Sequence, residues 1–365
     1  MAPVGVYRVS VAWLLTIGLI AVPICMLRLR QRLPEQQHVH RALADANIWH
    51  QQYLERRKHS GVVIYNRVGK CGSTSMVRLL DRLQREKKRI ISHHLPLKFW
   101  GHAGPEVLNR WLHTTKKAEA QAWATNRTVV LDGHSAWVNY TEHGYPAPVF
   151  INVVREPISR MKSIFYYMHA PMRHNSMRSA DALARLMGDA KHDPQKHTLS
   201  NCLRVPRCHD YVAHKYAAQP VRQFRGMAPE KVAITPYPAP EATVAQAVHN
   251  LRNEYLVVIP LQELEPGLQL LECLLPKEFK GALKIFKEAD ASSQNANHNT
   301  QAVRPPSEDL DALTEMVTNT GETQLWAAAL ERFCFTWRVG QQQCRPLRRV
   351  AVPTCDSLSE AASAA

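Results

Sequence analysis

Val62-Val-Ile-Tyr-Asn-Arg-Val-Gly-Lys-Cys-Gly-Ser-Thr-Ser75 is the stretch on which the fold turns. Its first part, with Gly61, is a β-branched and apolar run ending at Tyr65 in a loop, which predicts a buried strand over 61–65. Its last part is rich in small residues and hydroxyls. Beyond Ser75 apolar residues stand at 76, 77, 79, 80 and 83 with Arg and Asp between them, a helical spacing over 75–88. A strand, a small-residue loop and a helix in succession build an anion site from loop N–H groups and the helix N-terminus. Lys70 adds a charge, and Ser73, Thr74 and Ser75 add donors. The plain alternative is a turn with a serine cap. The nucleoside-triphosphate pattern GxxxxGK[ST] fails, because Cys71 follows the lysine and position 64 is isoleucine.

Outward from this unit, Arg127–Leu131, Val149–Val154 and Tyr255–Ile259 read as three more buried strands. Helices are expected over 156–169, 261–275 and 307–338, the last broken near Gly321. A further helix is expected over 41–57 in a basic stem. Residues 290–306 read as a polar loop. Strands alternating with helices define an α/β fold with a mostly parallel sheet flanked by helices. The expected organisation is a tail over 1–8, an apolar span over 9–27, a stem over 28–60, a catalytic domain over 61–345 and a disordered tail over 346–365.

The uncharged run Val9–Leu27 gives about 28 Å of helix, close to a bilayer core. It is longer than the apolar part of a cleavable signal and ends in Cys25-Met26-Leu27-Arg28, which favours an uncleaved signal-anchor. Flanking charge, Arg8 before it and Arg28, Arg30 and Arg32 after it, favours the opposite orientation from the one argued next. Among eight cysteines, Cys202 and Cys208 enclose five residues including Pro206 and read as a local disulfide. A zinc pair helped by His209 is the alternative, at a spacing too long for a CxxC-type knuckle. Asn126-Arg-Thr and Asn139-Tyr-Thr are glycosylation sequons. Together these place the C-terminal part in a lumen. The net charge of +15 and a pI near 9.6 point to a polyanionic partner.

The loop Tyr65–Ser75 resembles the 5′-phosphosulfate loop of the Golgi glycosaminoglycan 2-O-sulfotransferases, type II membrane enzymes that use 3′-phosphoadenosine 5′-phosphosulfate (PAPS). Its Gly-Lys-Cys-Gly is closer to the uronyl branch than to the heparan sulfate branch, where Pro-Lys-Thr-Ala is usual. Val153-Val-Arg-Glu-Pro-Ile-Ser-Arg-Met-Lys-Ser163 resembles the family's 3′-phosphate motif, a strand followed by Arg155 and, eight residues on, Ser163. The resemblance runs over about 61–338 and includes Asn253–Ile259, Gln262–Glu265, Leu275–Gly281 and Ala329–Phe333. It implies donor contacts from Lys70, Cys71, Gly72, Ser73, Thr74, Ser75, Arg155 and Ser163. Asn299 and Thr300 would cover the 3′-phosphate. An arginine fork at a strand's C-terminal end suits a phosphate there. A surface pair with Glu156 is the bland alternative for Arg155.

Leu131-Asp-Gly-His134 resembles the segment that carries the family's base, and an imidazole with its ordinary pKa of ~6.5 suits proton removal near neutrality. The heparan branch has a second histidine where this chain has Asp132, which would partner a loop N–H or orient a basic side chain. The implied reaction is in-line sulfuryl transfer to a uronic acid 2-hydroxyl, with His134 as base, Lys70 stabilising charge and no metal. Arg67 is expected to meet the acceptor, with Arg173 and Arg178 as further candidates. The implied partner is a glycosaminoglycan rather than nucleic acid, dermatan or chondroitin sulfate favoured and heparan sulfate the alternative. Homo-oligomerisation is a further expectation. Two other classes compete: a P-loop kinase with Asp132 on Mg²⁺, which lacks its hydroxyl after Lys70, and a non-catalytic glycosaminoglycan-binding protein.

Overall fold

The computed structural model describes residues 48–55, 60–95, 105–169, 177–191, 193, 195–226, 237–293, 307–352 and 354–357. The chain divides into Met1–Gln51 and Gln52–Ala365. Of the first unit only 48–51 is described, the start of a helix over 48–55 (α1). The anchor stretch 9–27 and most of the stem lie outside the described residues. No helix among the described residues is long and apolar enough to cross a membrane.

The second unit begins with β1 (Val62–Asn66), α2 (Ser73–Lys87), β2 (Ile90–His94), α3 (Pro105–Thr125), β3 (Thr128–Gly133) and β4 (Val149–Val154). Helices α4 (Pro157–His169), α5 (Met177–Leu186), α6 (Leu199–Arg204) and α7 (Pro206–Val212) follow, then a π-helical turn over Ala213–Ala217 and α8 (Gln219–Arg225). The remainder is α9 (Glu241–Glu254), β5 (Tyr255–Pro260), α10 (Leu264–Leu274), α11 (Pro276–Phe279), α12 (Ala282–Ser293), α13 (Ser307–Asn319) and α14 (Glu322–Gln343).

The described strands form one sheet in the order β2-β3-β1-β4-β5, every pair parallel. β1, β3, β4 and β5 are buried along their whole length, as parallel strands covered on both faces must be. That is why they read as continuous apolar runs. β2 is the exception. Its sequence, IISHH, offers two apolar residues and then faces solvent at an edge, so the sequence reading passed over it. At the other edge α14 covers β5. Arg332 donates to the Tyr255 carbonyl at 2.9 Å and Thr336 to the Leu256 carbonyl at 3.2 Å, which blunts an otherwise open ladder.

Two boundaries move. α2 starts at Ser73 rather than Ser75, because Gly72 (φ 73°) turns the chain into the helix and the hydroxyl residues form its first turn. The expected break at Gly321 is real: α13 stops at Asn319, and Gly321 (φ 76°) caps α14. The tail expectation needs correction for 346–357. Leu347 and Val352 are buried, and Cys355 is bonded to Cys334 in α14, a tether that apolar periodicity does not reveal. Cys202 pairs with Cys208 and Cys273 with Cys344.

Candidate functional site

The chain reaches β1 first, moves outward to β2, fills β3 between them, and then crosses to β4 on the other side of β1. The direction of winding reverses at β1, and in open α/β sheets the crevice beyond the strand C-termini at that point is where ligands sit. The loop 67–72, Arg155 and His134 all leave the sheet at this edge.

The loop is shaped as an anion cradle. Lys70 (φ 66°) and Gly72 (φ 73°) are both left-handed, a backbone that turns successive N–H groups inward. For lysine that conformation is strained and held by its surroundings. No side chain caps the N-terminus of α2, and its first turn carries no acid. Its leading N–H groups are thus available to an anion, and in that turn Ser73 is half-buried while Thr74 and Ser75 are exposed. Glycine suits position 72 because its φ of 73° is left-handed; a Cβ there would also press on Leu261 Cδ1 at 2.6 Å. The Lys70 ammonium lies 3.8 Å from the centre of the Tyr167 ring, a cation–π contact that steadies its long stem.

Cys71 points the other way. Its side chain is fully buried, with Sγ 3.6 Å from the Gly69 carbonyl. Burial pushes the thiol up to about 12, partly offset by the Arg160 and Arg155 charges and an N–H from Arg155. This contact also joins the loop to the end of β4. Beneath it the buried Arg160 forms an ion pair with Glu322 and donates to the Tyr216 carbonyl at 2.8 Å, fastening the first turns of α4 and α14 together.

Arg155 is half-buried at the end of β4. Glu156 does not neutralise it. Both Glu156 carboxylate oxygens accept from the start of α4, from Ile158 N at 2.8 Å and Ser159 N at 2.7 Å. Val68, Cys71, Arg155, Pro220 and Trp326 line a small cavity that continues the cradle toward α14. Ser163 is half-buried on α4, next to Ile164, which packs against Gly69.

His134 follows β3 directly and is half-buried. Its Nδ1 lies 2.9 Å from the Arg67 carbonyl oxygen. A carbonyl only accepts, so Nδ1 carries the proton and Nε2 of the neutral ring carries the lone pair. The same carbonyl accepts from Gln223 Nε2 at 2.9 Å, and that amide also reaches the Ser135 carbonyl at 3.2 Å. Gln223 is fully buried and was not found from sequence. Nothing in QPVRQFRG marks one glutamine as reaching two loops.

Beside it, Asp132 settles its open reading: it orients basic side chains. Its buried carboxylate lies 2.8 Å from His94 Nδ1 and 3.3 Å from Arg67 Nε. The Arg67 guanidinium lies across the His94 ring, 3.2 Å from Nδ1. His94 is 55% exposed. It escaped sequence reading because it belongs to β2, whose register sets His94 opposite Asp132. Arg222 is buried in α8 and lowered to about 10 by burial and by repulsion from Arg225 and Arg160.

Arg173, Asn299 and Thr300 lie outside the described residues, and Arg178 falls in α5 with its side chain undescribed. Asn126 is exposed after α3. The Asn139 amide donates to Glu142 at 2.7 Å and accepts from Thr141 at 2.7 Å.

Residues 52–227, from before β1 through α8, match the family model described as the sulfotransferase family. The chain shares with that family a match over 176 of its 365 residues. Among curated relatives it is 26% identical over 275 residues to heparan sulfate 2-O-sulfotransferase 1 of Xenopus laevis and, over the same length, to that of Homo sapiens. Each match covers 75% of this chain and 71% of the relative. It is 27% identical over 238 residues to uronyl 2-sulfotransferase of Mus musculus, 62% of this chain and 51% of that protein.

Proposed function

We propose that the chain is a PAPS-dependent glycosaminoglycan 2-O-sulfotransferase with His134 as general base. The observation that carries this reading is the hydrogen bond from His134 Nδ1 to the Arg67 carbonyl, which leaves Nε2 as the basic nitrogen at the edge where the anion cradle opens. The cradle's fit to the donor is supported by the uncapped start of α2, the left-handed Lys70 and Gly72, and an adjacent Glu156 whose carboxylate is turned to the start of α4. PAPS, when bound, supplies the sulfuryl group, and 3′,5′-ADP leaves.

In this reading the N–H groups of Cys71 to Ser75 and the three hydroxyls hold the 5′ end of the donor. Arg155 and Ser163 hold the 3′-phosphate, with Asn299 and Thr300 completing its cover. Lys70 stabilises negative charge that grows on the departing oxygen, which raises turnover more than affinity. His134 Nε2 removes the proton of the uronic acid 2-hydroxyl as that oxygen attacks sulfur. Arg67, aimed by Asp132 and His94, meets an acidic group of the acceptor. Arg173 and Arg178 are further acceptor contacts. Dermatan or chondroitin sulfate is favoured over heparan sulfate by Gly-Lys-Cys-Gly and by aspartate at 132. The expected setting is a Golgi membrane, with residues 9–27 as a signal-anchor, the catalytic unit in the lumen, and glycans on Asn126 and Asn139.

Thermal stabilisation by 3′,5′-ADP without Mg²⁺ tests the donor site. Disaccharide analysis after reaction with labelled PAPS and each polymer in turn identifies the acceptor. A shift with ATP–Mg²⁺ alone would turn the reading toward a kinase.

A further inference from the structure

The catalytic edge uses few of the chain's surplus cations. The opposite end of the sheet gathers many. α2 runs from Ser73 at the cradle to Lys87, 15 residues or about 22 Å away. There Lys87, Lys88 and Arg89 are exposed ahead of β2. α10 returns from β5 to the same end, and α11 follows it. Thr128, the first residue of β3, donates to Glu278 of α11 at 2.6 Å, which fixes that placement. Lys277 and Lys280 flank Glu278 and are exposed. Lys87 Nζ comes within 3.8 Å of where a Cβ on Gly281 would stand, so the α2 and α11 cations adjoin.

The Cys273–Cys344 disulfide then brings in a third segment. Directly after Cys344 a 3-10 turn over Arg345–Arg349 presents Arg345, Arg348 and Arg349, all exposed around an open groove of about 460 Å³. Arg348 is held in place by the carbonyls of Gln341 and Gln342. The acids close by are engaged elsewhere: Glu86 with Arg82, Glu278 with Thr128, Glu272 with Leu283 N. Among the described residues, none of these eight cations forms an ion pair.

We propose that this end of the sheet is a second docking surface for an anionic polysaccharide, gripping a stretch of the acceptor polymer remote from the sugar being sulfated. The inference rests on the glycosaminoglycan reading above. Three separated segments converge on one cationic surface, and mutual repulsion there is relieved by a polymer carrying a charge on every repeat. A long chain held at both ends of the sheet gains effective concentration at the catalytic edge, which a short oligosaccharide cannot.

The test uses the full chain and the variant Lys277→Glu/Lys280→Glu/Arg345→Glu/Arg349→Glu. A control with the same charge change, Lys116→Glu/Lys117→Glu/Lys191→Glu/Lys196→Glu, alters exposed lysines elsewhere. The docking variant should elute from immobilised heparin at lower salt than the control. It should lose about tenfold or more in affinity for long heparin chains, through lost counterion release. Turnover on a dermatan, chondroitin or N-sulfated heparosan hexasaccharide, whichever wild type sulfates, and stabilisation by 3′,5′-ADP should match wild type. Equal elution of the two variants overturns the proposal. So does an equal loss on hexasaccharide and polymer, which would put these cations in the catalytic groove. Binding of wild type to phosphatidylserine vesicles that long heparin does not displace would assign the surface to lipid. If wild type sulfates no oligosaccharide, the functional reading fails, while the heparin elution still decides the docking surface.

Discussion

The two halves of the catalytic edge are built differently. On the β1–β4 side the anion cradle is one continuous segment, 67–75, whose backbone turns successive N–H groups inward. On the β2–β3 side the acceptor corner is assembled from Arg67, His94, Asp132, His134 and Gln223, separated by up to 156 residues and joined by side-chain contacts. A backbone cradle depends on the conformation of a few successive residues, with left-handed φ at 70 and 72. A corner made of side chains fails one contact at a time. In the proposed function the contrast also divides the chemistry, with donor binding on one side and proton removal on the other.

The largest expected effect separates the halves outright. His134→Ala should cut turnover by about 10²–10⁴-fold, the range for one positioned acid–base group, and leave 3′,5′-ADP binding intact. The acid limb of the pH–rate profile should vanish with it. His94→Ala is the companion measurement. As an orienter of Arg67 it should raise KM for the acceptor and leave the acid limb in place. If the limb disappears in His94→Ala and survives in His134→Ala, the carboxylate-partnered histidine is the base instead.

Next, Arg155→Ala removes a bidentate charged contact on the donor side. We expect about 2–3 kcal/mol, or roughly 30- to 150-fold, weaker 3′,5′-ADP binding by calorimetry. Unchanged affinity would take Arg155 out of the site.

A smaller effect probes the join between the halves. Gln223→Leu keeps the volume but deprives the Arg67 and Ser135 carbonyls of their shared donor. Turnover should fall about five- to tenfold, within the ~1–3 kcal/mol cost of an unsatisfied buried group. The acid limb should move, because the carbonyl that fixes the His134 tautomer loosens. A fall in melting temperature with an unmoved limb would reduce Gln223 to a structural role.

The smallest effect concerns Cys71. Its thiol, raised to about 12 by burial, stays protonated in the folded chain at pH 9, where an unfolded thiol is half ionised. Iodoacetamide at that pH should label the Cys71 peptide slowly until guanidinium unfolds the protein. The sign for stability follows: the thiol's contribution is intact below pH 9 and is lost as pH rises toward 12. Fast labelling of the native chain would mean that the thiol faces the cradle.

The strand–loop–helix unit and the four fully buried strands were legible because each is a contiguous pattern. Parallel strands covered on both faces must be apolar throughout, and an anion cradle must be small and N–H-rich over a few successive residues. β2 was missed for the complementary reason, since an edge strand half in water has no such constraint. α3 and α9 went unread because long helices with many polar positions dilute the apolar spacing. The disulfides from Cys273 and Cys334 depend on where α14 crosses the sheet edge.

Contiguous sequence was enough to point to an anion-cradling loop, an arginine at a later strand end and a histidine directly after another strand. Which nitrogen of His134 faces the Arg67 carbonyl, what Asp132 holds, and how Gln223 and His94 join these groups came from the fold. Backbone sites are specified by residues adjacent in the chain, whereas the tautomer of an imidazole and the aim of a guanidinium depend on partners that strand order and register bring within 3 Å.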